Sequence, residues 1–437
     1  MLQKFTEHIS LNFPFLKDKK LLIAISGGLD SVVLFHLLHQ LNYNISLAHC
    51  NFKLRDKESD LDEEFVINIS QKTSNQIFTK TFNTSTFAKK NKISTQIAAR
   101  ALRYNWFQEV LHEHNFDFVL TAHHADDNLE TFLINLTRGS GLEGFTGIPA
   151  QNGTIVRPLL PFSRADILKY AQENKLTWRE DASNASTKYT RNKIRHQVIP
   201  VLKEINPSIL LSFEKTISNL QESQQIIKDR IETISNEVTE EKNNLIRIDI
   251  EKIKQLSNPK AYLFELLKAY QFTEWTDVYN LLTAQSGKQV FSKTHRLLKD
   301  RGFLILSEID FSTALEMTFD IDENTSEITH PIQLTFKEVN NTSTENKQTI
   351  YVDKDLLKYP LQLRKWQNGD YLYPTGMQGK KKLSKFFKDE KFSLLEKENA
   401  WLLCNANNEI IWVVNYREDR RFAPKQNTTH YLKISSL

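Results

Sequence analysis

A short stretch rich in small residues, Ser-Gly-Gly-Leu-Asp-Ser at 26–31, has the residue types needed to hold a phosphate group. It lies between the strand-like run LLIAI and a helix-like apolar run, and it uses two of the chain's 12 glycines. Bare backbone N–H groups at Gly27 and Gly28, with the positive end of the following helix, suit an anion. The two serines add hydroxyl donors, and Asp30 suits either a helix cap or Mg²⁺ held against phosphates. A plain strand-to-helix turn with a good N-cap is the alternative interpretation.

A second stretch, His-His-Ala-Asp-Asp-Asn-Leu-Glu at 123–130, offers bases and carboxylates at the start of a helix-like run. On a helix, Asp126 and Glu130 share one face, and Asp127 also reaches Glu130. Such groups can accept a proton from an attacking nucleophile or bind a cationic substrate. Two imidazoles and two carboxylates would also suit a transition metal. A solvated acidic helix start, with Asp and Glu at the positive dipole end, is the third interpretation.

Both stretches belong to a regular alternation of strand-like and helix-like segments. Strands are predicted for LLIAI, ISLAHC, QIFTKTF and FDFVLTA, with helices through Leu38, over about 59–73 and over about 95–115. The alternation predicts a parallel sheet with helices on both faces. Ligands bind at the carboxyl edge of such sheets, and the glycine turn falls at that edge.

Neither of two common phosphate-loop patterns describes this chain. No G-x-x-x-x-G-K-[ST] segment is present. The segment GSGLEG at 139–144 matches the dinucleotide fingerprint in its letters, but it follows the end of a helix where the fingerprint requires a strand. We interpret it as a flexible loop beside the nucleotide.

After residue 207 the hydrophobic pattern becomes helical and later alternating. Apolar residues at 3/4 spacing predict one long amphipathic helix from about 213 to 238, and more helix is predicted around 258–285. From about 311 onward, segments such as HPIQLTF, QTIYV and EIIWVVNY predict a small β-rich module with a polar loop at 340–347.

Composition limits the class of protein. A length of 437 residues predicts two or three domains. No apolar run approaches the ~20 residues of a membrane helix, and the first residues have no signal-peptide pattern, so we expect a cytoplasmic protein without membrane contact. The two cysteines, Cys50 and Cys404, lie far apart in sequence, which fits a reducing compartment and excludes a cysteine-ligated cluster within one chain. A net charge of +4 is mild, so a polyanionic partner must be met by local basic patches.

The ordered series of motifs resembles one family. After SGGLDS come AHCNFKLR (48–55), AARALRYNWF (98–107), TAHHADDNLETFLINLTRGSGLEGFTGI (121–148), RPLLPFSRADI (157–167) and REDASNASTKYTRNKIRHQVIP (179–200). The first motif resembles the PP-loop ATP pyrophosphatase superfamily, and the whole series resembles the tRNA(Ile)-lysidine synthetase family within it. Two later stretches, SGKQVFSKTHRLLKDRGFLIL (286–306) and NGDYLYPTGMQGKKKLSKFFKDEK (368–391), are similar to the same family.

The resemblance implies an α/β fold in three parts. These are a parallel-sheet PP-loop ATPase domain of the adenine nucleotide alpha hydrolase-like type over 1–210, a helical tRNA-binding domain over 211–310, and a β-rich tRNA-binding module over 311–437. It also implies that ATP, with Mg²⁺, adenylates the wobble cytidine of a tRNA(Ile) with a CAU anticodon, and that free lysine then displaces AMP to form lysidine. The oligomeric state stays open, with a homodimer as one option.

The resemblance also assigns residues, matched motif by motif. Catalytic roles fall on Asp30, Arg100, Arg103, His123, Asp127 and Glu130. Nucleotide binding falls on Ser26, Gly27, Gly28, Leu29, Asp30, Ser31 and His49, with Asp30 also holding Mg²⁺. RNA binding falls on Arg191, Arg195, Lys380, Lys381, Lys382 and Lys385. One departure is Phe52, because many members have a second His at this position. Which residue takes the proton from lysine stays open.

Two basic patches suit RNA. Residues 178–203 hold six Lys or Arg against two acids, and residues 364–391 hold eight against three. In the second patch aromatic residues are interleaved, a combination that suits RNA: Trp366, Tyr371, Tyr373, Phe386 and Phe387. We expect the patches to hold the anticodon region and the acceptor side of one tRNA. Solvated charged faces are the alternative.

Two rival functions compete with this interpretation. A tRNA thiolase of the same superfamily would need cysteine chemistry, and two isolated cysteines do not supply a CxxC or a cluster. A non-catalytic RNA-binding protein with a vestigial nucleotide site would not need an intact S-G-G-x-D-S motif beside a full acidic helix start. The sequence therefore favours the ligase.

Overall fold

A computed structural model describes residues 1–55, 57–180, 190–242, 244–309, 318–342 and 347–436. The chain divides into two compact units, Met1–Asp229 and Arg230–Leu437. The first unit contains one six-stranded sheet, and the second contains several smaller sheets. The glycine turn and the acidic helix start both belong to the first unit.

The sheet of the first unit is parallel except at one edge. Its strands are β1 (Leu21–Ala24), β2 (Ile45–Asn51), β3 (Ile77–Thr81), β4 (Phe118–Leu120), β5 (Gln151–Asn152) and β6 (Ile155–Val156). They lie in the order β3-β2-β1-β4-β6-β5, and only β5 runs antiparallel to its neighbour. The predicted parallel sheet is therefore confirmed. The chain winds to opposite sides of β1, and at such switch points ligands enter parallel sheets at the carboxyl edge.

Helices cover both faces of this sheet. In chain order the helices are α1 (Leu2–Asn12), α2 (Leu29–Gln40), α3 (Lys57–Thr73), α4 (Thr84–Asn91), α5 (Thr95–His114), α6 (Ala125–Thr137), α7 (Leu142–Phe145), α8 (Arg164–Glu173), α9 (Thr190–Lys193), α10 (Ile199–Ile205) and α11 (Ile209–Val238). Helices α10 and α11 pack beside α6, and α11 continues into the second unit. A π-helical turn, Ile194–Val198, joins α9 to α10. The long amphipathic helix is α11, with 30 residues.

Strand β1 shows why the central strands read as continuous apolar runs. Leu21 and Ile23 are fully buried on one face, in the core that also contains Val33 and Leu37 of α2. Leu22, between them, is fully buried in the opposite core with Phe107 of α5. Side chains alternate along a strand, so a sheet covered on both faces needs an apolar residue at every position. This packing fixes the strand ends at which the functional residues follow.

The second unit begins with an antiparallel sheet that the sequence analysis did not predict. Its strands are β7 (Thr239–Lys242), β8 (Leu245–Asp249), β9 (Gln289–Phe291), β10 (His295–Asp300) and β11 (Phe303–Glu308), in the order β7-β8-β11-β10-β9. The predicted helices accompany it as α12 (Ile250–Gln255), α13 (Pro259–Leu267) and α14 (Trp275–Asn280). The helix predicted around 258–285 is broken, because Gln271 adopts a left-handed backbone conformation with φ of 61°.

The C-terminal module is β-rich, as predicted. Its strands are β12 (Phe319–Ile321), β13 (Glu327–Ile328), β14 (Leu334–Val339), β15 (Thr349–Asp353), β16 (Leu361–Lys365), β17 (Tyr371–Leu372), β18 (Lys381–Lys382), β19 (Trp401–Cys404), β20 (Ile410–Val413), β21 (Arg417–Glu418) and β22 (Tyr431–Ser436). Two short helices, α15 (Leu383–Asp389) and α16 (Leu394–Asn399), complete it. The polar loop predicted at 340–347 lies partly outside the described residues, which omit 343–346.

Candidate active site

The glycine turn connects β1 to α2 at the carboxyl edge of the sheet. Gly27 has φ of +87°, a conformation that residues with a side chain rarely adopt, and a Cβ there would lie 3.3 Å from the Phe65 ring. Gly28 is the N-cap of α2, and no side chain caps the helix. The amides of the first helical turn therefore lack intrahelical partners. One glycine makes the turn, and the second leaves the helix end open to an anion.

The two serines of the turn hold it in shape. Ser31 donates a hydrogen bond from its hydroxyl to the Gly28 carbonyl oxygen at 2.9 Å, and its Oγ also accepts one from the Ser26 amide at 3.2 Å. The Ser26 and Ser31 hydroxyls lie 3.1 Å apart. Nucleotide binding by these hydroxyls stays a prediction. In the structure, the hydrogen bonds of Ser26 and Ser31 stabilise the conformation of the turn.

Asp30, in the first turn of the helix after β1, faces the start of α6, the helix after the neighbouring strand β4. Its Oδ2 lies 3.7 Å from Nε2 of His124, and the same nitrogen lies 3.5 Å from Oδ2 of Asp127. His124 is 2% exposed and caps α6, with its Nδ1 accepting a hydrogen bond from the Asp127 amide. In the neutral ring the proton therefore lies on Nε2, between the two carboxylates. The two motifs found separately in the sequence thus meet at one site.

Burial opposes the ionisation of both carboxyl groups, but the charges around them shift their pKa values in opposite directions. Burial, joined by the charge of Asp127, raises the pKa of Asp30, and His124 offsets only part of the rise. Burial also opposes ionisation of Asp127, but the neighbouring His124 and the guanidinium of Arg191 outweigh it and lower the pKa of Asp127. Oδ1 of Asp30 is buried and has no hydrogen-bond partner among the described residues. An unpaired buried carboxylate oxygen fits a site that receives a cation.

Glu130 is bound from two sides by arginines. It is 1% exposed, and Arg191 Nε donates to its Oε2 at 2.8 Å. Arg195 donates from Nε to Oε1 and from Nη2 to Oε2, at 2.5 and 2.9 Å. Arg195 Nη2 also lies 3.3 Å from Oδ1 of Asp127. The structure therefore brings together two residues predicted to bind RNA and two predicted to be catalytic, in one network of charges.

Asp126 is held away from this network by other partners. Its Oδ2 accepts a hydrogen bond from the Arg164 amide at 2.8 Å, and its Oδ1 pairs with Lys203 Nζ at 2.6 Å. Burial works against its charge, but the amide and the ammonium outweigh burial and lower the pKa of Asp126. Its contacts tie α6 to α8 and to α10.

His123 is a neutral ring in a positively charged surrounding. Its Nδ1 lies 2.9 Å from the Thr121 hydroxyl. Burial, helped by Arg157, Arg191 and Arg100, lowers the pKa of His123 to about 4, although Asp127 opposes the shift. The imidazole therefore stays uncharged near neutral pH, where it can accept a hydrogen bond or a proton.

Acidification should expose this shift as a loss of stability. Between pH 6.5 and about 4 the unfolded chain protonates residue 123 and the folded chain does not, so the free energy of unfolding falls as pH falls. From pH 6.5 to pH 5 the contribution is about 2 kcal/mol. Urea unfolding of wild type and His123→Gln at both pH values measures it, with the exposed His112→Gln as control. Equal losses in wild type and His123→Gln would contradict the shift.

His49 lies at the end of β2, beside the glycine turn. It is 4% exposed, and its Nδ1 donates a hydrogen bond to the Ile25 carbonyl oxygen at 2.9 Å. Burial lowers the pKa of His49, so the ring is neutral and its Nε2 is an acceptor. That Nε2 is buried without a partner among the residues the structure describes. This suits the predicted contact with the nucleotide, which itself stays a prediction.

The predicted arginines of α5 are exposed and rest on aromatic rings. The guanidinium carbon of Arg100 lies 4.8 Å from the Tyr104 ring centre, and that of Arg103 lies 5.2 Å from the Phe52 ring centre. The first contact joins residues four apart on α5, which lie on the same face of a helix. The second joins α5 to the end of β2, where the sequence departs from the family pattern.

Two arginines with a role at this edge were missed by the sequence analysis. The Arg179 amide donates to the Gly27 carbonyl oxygen at 3.0 Å, and its side chain binds Glu58 and the buried Asp62 of α3. Arg157 is 4% exposed, and its Nη1 donates to the Pro149 carbonyl oxygen at 2.7 Å. Arg179 and Arg157 belong to the motifs at 179–200 and 157–167. Only their contacts with residues distant in sequence distinguish them from the other residues of those motifs.

The predicted RNA-binding lysines of the second unit fall into two groups. Lys380, Lys382 and Lys385 are exposed. The Lys381 side chain is only 14% exposed, and its Nζ pairs with Asp389 at 2.8 Å. Phe386 and Phe387 are buried in the core below, at 2% and 0% exposure, so they cannot stack on bases. In the first patch, Asp181 and Lys188 lie outside the described residues.

The two cysteines are unreactive groups. Cys404 is fully buried and Cys50 is half-buried, and burial raises the pKa of both thiols to about 12. Thiolates are the reactive form, so neither residue is prepared for sulfur transfer. Within the described ranges no group of three or more His, Cys, Asp or Glu is arranged to hold a metal ion, and no helix is long and apolar enough to cross a membrane.

Three domain families match the chain in order. The PP-loop domain matches residues 1–202, the TilS substrate binding domain matches 241–309, and the TilS substrate C-terminal domain matches 361–434. Together with the parallel sheet and the open helix end after β1, the first match defines a PP-loop ATPase domain. The predicted class is confirmed.

Similar proteins identify the particular family. The tRNA(Ile)-lysidine synthase of Parabacteroides distasonis is 39% identical over 427 residues, covering 96% of each chain. That of Bacteroides thetaiotaomicron is 38% identical and covers 98% of this chain and 97% of its own. That of Bacillus subtilis is 28% identical and covers 91% and 90%. The chain belongs to the tRNA(Ile)-lysidine synthase family and is a ligase of that type.

Proposed function

We propose that this protein joins free lysine to C2 of the wobble cytidine in a tRNA(Ile) with a CAU anticodon, through an adenylated tRNA. The observation that carries the proposal is the meeting of the open glycine turn with Asp30, His124 and Asp127 at one edge of the parallel sheet. This edge offers an anion site and a carboxylate site side by side. The reaction needs both sites, because cytidine must attack ATP at its phosphates and the lysine amine must then attack the adenylated cytidine.

In the first step the C2 carbonyl oxygen of cytidine attacks the α-phosphorus of ATP, and pyrophosphate leaves. A carbonyl oxygen is a poor leaving group, so the step converts it into AMP, which leaves readily. Negative charge grows on the departing pyrophosphate, and the amides at the start of α2 point toward an anion there. The positive end of α2 and the absence of a Cβ at Gly28 permit close approach of the phosphates.

Asp30 fits the Mg²⁺ that accompanies ATP. Its buried Oδ1 lacks a partner within the described chain, and carboxylate oxygens are ligands that Mg²⁺ prefers. Bound Mg²⁺ would neutralise phosphate charge. The chain's own contribution is the position of Asp30, which is fixed by the first turn of α2 and by His124. Asp30 binds a cation in its ionised form, so cation binding must lower its raised pKa.

In the second step the lysine amine attacks C2 and AMP leaves. The free amine has a pKa of about 10.4, so near pH 7.4 only about one molecule in a thousand is neutral, a handicap of ~4 kcal/mol. A base that removes the proton offsets much of this handicap. Glu130, Asp126 and Asp127 each already pair with a cationic side chain, which leaves the neutral His123 as the better candidate for the base. Of these pairings, the contact of Asp127 with Arg195, at 3.3 Å, is the longest. We assign binding of the ammonium to Asp127.

We further propose a division of labour among 1–210, 211–310 and 311–437. The first part carries the chemistry in the cytoplasm, and the other two bind tRNA. For the last part we propose RNA contacts by Lys380, Lys382 and Lys385, which are exposed, whereas Lys381 pairs with Asp389. Arg191 and Arg195 would contact RNA only with the donors that Glu130 leaves free.

Replacing Lys380, Lys382 and Lys385 together with Ala should weaken tRNA binding and flatten its salt dependence. Each lost phosphate contact lowers the salt slope by about one unit or less, so a drop of about two units is expected. Lys381→Ala is the matched control and should change the slope little. The measurement is tRNA affinity against salt concentration, with ATP affinity unchanged. A slope equal to that of wild type would make the three lysines a solvated face.

The order of steps provides the test of the proposal. With ATP and tRNA but no lysine, the protein should release pyrophosphate and accumulate adenylated tRNA. Adding lysine should then release AMP. Formation of ADP and phosphate instead of pyrophosphate would overturn the proposal. A protein that does not react in the absence of lysine, and that forms a sulfur-containing nucleoside when a sulfur donor is added, would also overturn it. No pyrophosphate under any condition would favour a non-catalytic RNA-binding protein.

A further inference from the structure

An aromatic stack supports Arg103 at the carboxyl edge of the sheet. The rings of Phe52 and Phe82 are stacked, with centres 5.6 Å apart and planes inclined by 18°. Phe82 is 8% exposed and packs edge-on against the buried Trp106 of α5. Arg103 places its guanidinium carbon 5.2 Å from the centre of the Phe52 ring. The guanidinium therefore rests on a ring that is itself backed by the core.

Phe52 is the one protein group that orients this guanidinium within the described ranges. There, Arg103 forms no ion pair and no hydrogen bond, although a guanidinium carries five N–H donors. A long exposed side chain without such partners samples many rotamers, and a cation over an aromatic face loses part of that freedom. The stack fixes the direction of the side chain and leaves all five donors available to a ligand.

The electrostatic surroundings place Arg103 at the site. Its charge acts on His49 and on Cys50, both near the end of β2. His49 presents a buried Nε2 without a partner. Two lysines near residue 52 are paired, Lys80 with Glu109 and Lys53 with Asp60. Arg103, by contrast, has no ion pair in the part of the chain that the structure describes.

We propose that Phe52 is a positioning residue for Arg103, holding its guanidinium where it can bind an oxygen of the reacting cytidine or phosphate. The inference rests on the proposed function. An aromatic hydrocarbon ring makes this contact at every pH, whereas an imidazole at position 52 would repel the guanidinium once protonated. Phe52 thus maintains the support of Arg103 independently of pH.

A double-mutant cycle tests the pairing, with the rate of pyrophosphate release from ATP and tRNA as readout. Phe52→Leu should lower kcat about fivefold to thirtyfold with little change in the KM for ATP, a range set by the strength of a cation–π contact. In an Arg103→Ala background the same change should cost less than about twofold. Phe52→Trp should restore the rate to within about threefold. Phe78→Leu, which removes a half-buried ring elsewhere in the same core, is the matched control and should leave the rate unchanged.

Phe52→His distinguishes positioning from packing. The ratio of its rate to that of wild type should fall as pH is lowered from 8 to 6, because the protonated ring repels Arg103. A ratio that stays constant across this range, or a Phe52→Leu cost that persists fully in Arg103→Ala, would overturn the inference. Thermal unfolding of each variant checks that it folds. If Phe52→Leu does not fold, Phe52→Trp and Phe52→His, which keep an aromatic ring, still test the inference. Wild-type protein that releases no pyrophosphate would instead contradict the proposed function.

Discussion

Asp30→Ala should abolish pyrophosphate release, with a fall in rate of about 10³-fold or more, while tRNA affinity stays within about twofold of wild type. Asp30 is the carboxylate of the open helix end, and its Oδ1 has no partner in the described structure. Removing it takes away the cation ligand but leaves the glycine turn, which is held by its own serines. The measurement is a single-turnover pyrophosphate assay beside a tRNA-binding titration.

Asp166→Ala provides the control for Asp30→Ala. Asp166 also lies in the first turn of a helix, and its contacts are those of a capping box with Ser163. Its loss should cost about 1 kcal/mol of stability and leave pyrophosphate release unchanged. If Asp30→Ala released pyrophosphate at nearly the wild-type rate, Asp30 would matter only for the structure of its helix start, as Asp166 does, and the cation site would have to lie elsewhere.

Glu130→Ala should lower the free energy of unfolding by about 3 kcal/mol. Glu130 is almost fully buried and is bound by Arg191 and Arg195 at 2.8 and 2.5 Å. Removing it leaves two guanidinium groups without their acceptor in a partly buried place. Urea unfolding of the intact protein, followed by the fluorescence of Trp106 and the other tryptophans, measures the change.

Glu109→Ala is the matched control for Glu130→Ala. Glu109 also pairs with one cation, Lys80, at 2.6 Å, but the two side chains are 52% and 42% exposed. Exposed pairs contribute little, so the change should stay within about 0.5 kcal/mol. A Glu130→Ala protein that is as stable as wild type but inactive would mean that Glu130 acts on the substrate directly, which is the catalytic role that the family resemblance implies. Loss of stability means that it acts by holding the two arginines.

Local patterns predicted the elements that carry the site. Apolar runs bounded by small or polar residues identified the strands β1 to β4. The inner strands β1 and β4 are apolar throughout because a sheet covered on both faces needs apolar residues there. The glycine pair identified the turn, since Gly27 needs a backbone conformation that other residues rarely adopt. The sheet formed by β7 to β11 was missed because its strands are three to six residues long and lie between helices.

The pairing of charges within the site could not be predicted from local patterns. Glu130 and Arg191 are 61 residues apart in sequence, and nothing near either residue indicates the other. The same holds for Phe52 and Arg103, which meet only because β2 ends beside α5. Lys381 and Lys382 are identical neighbours in sequence, yet only the first is held by Asp389. Tertiary contacts decide which members of a motif are available to a ligand.

The identity of the modified nucleoside is the most direct evidence for or against lysidine formation by this protein. Unmodified tRNA(Ile) with a CAU anticodon is incubated with the protein, ATP and lysine labelled with ¹⁵N at the ε-amine, and its nucleosides are separated and weighed. We expect that one cytidine, at the wobble position, gains the mass of lysine less one water and keeps the label, while a tRNA with a different anticodon gains nothing. Cytidine that stays unmodified, or that gains sulfur instead of labelled lysine, would contradict it.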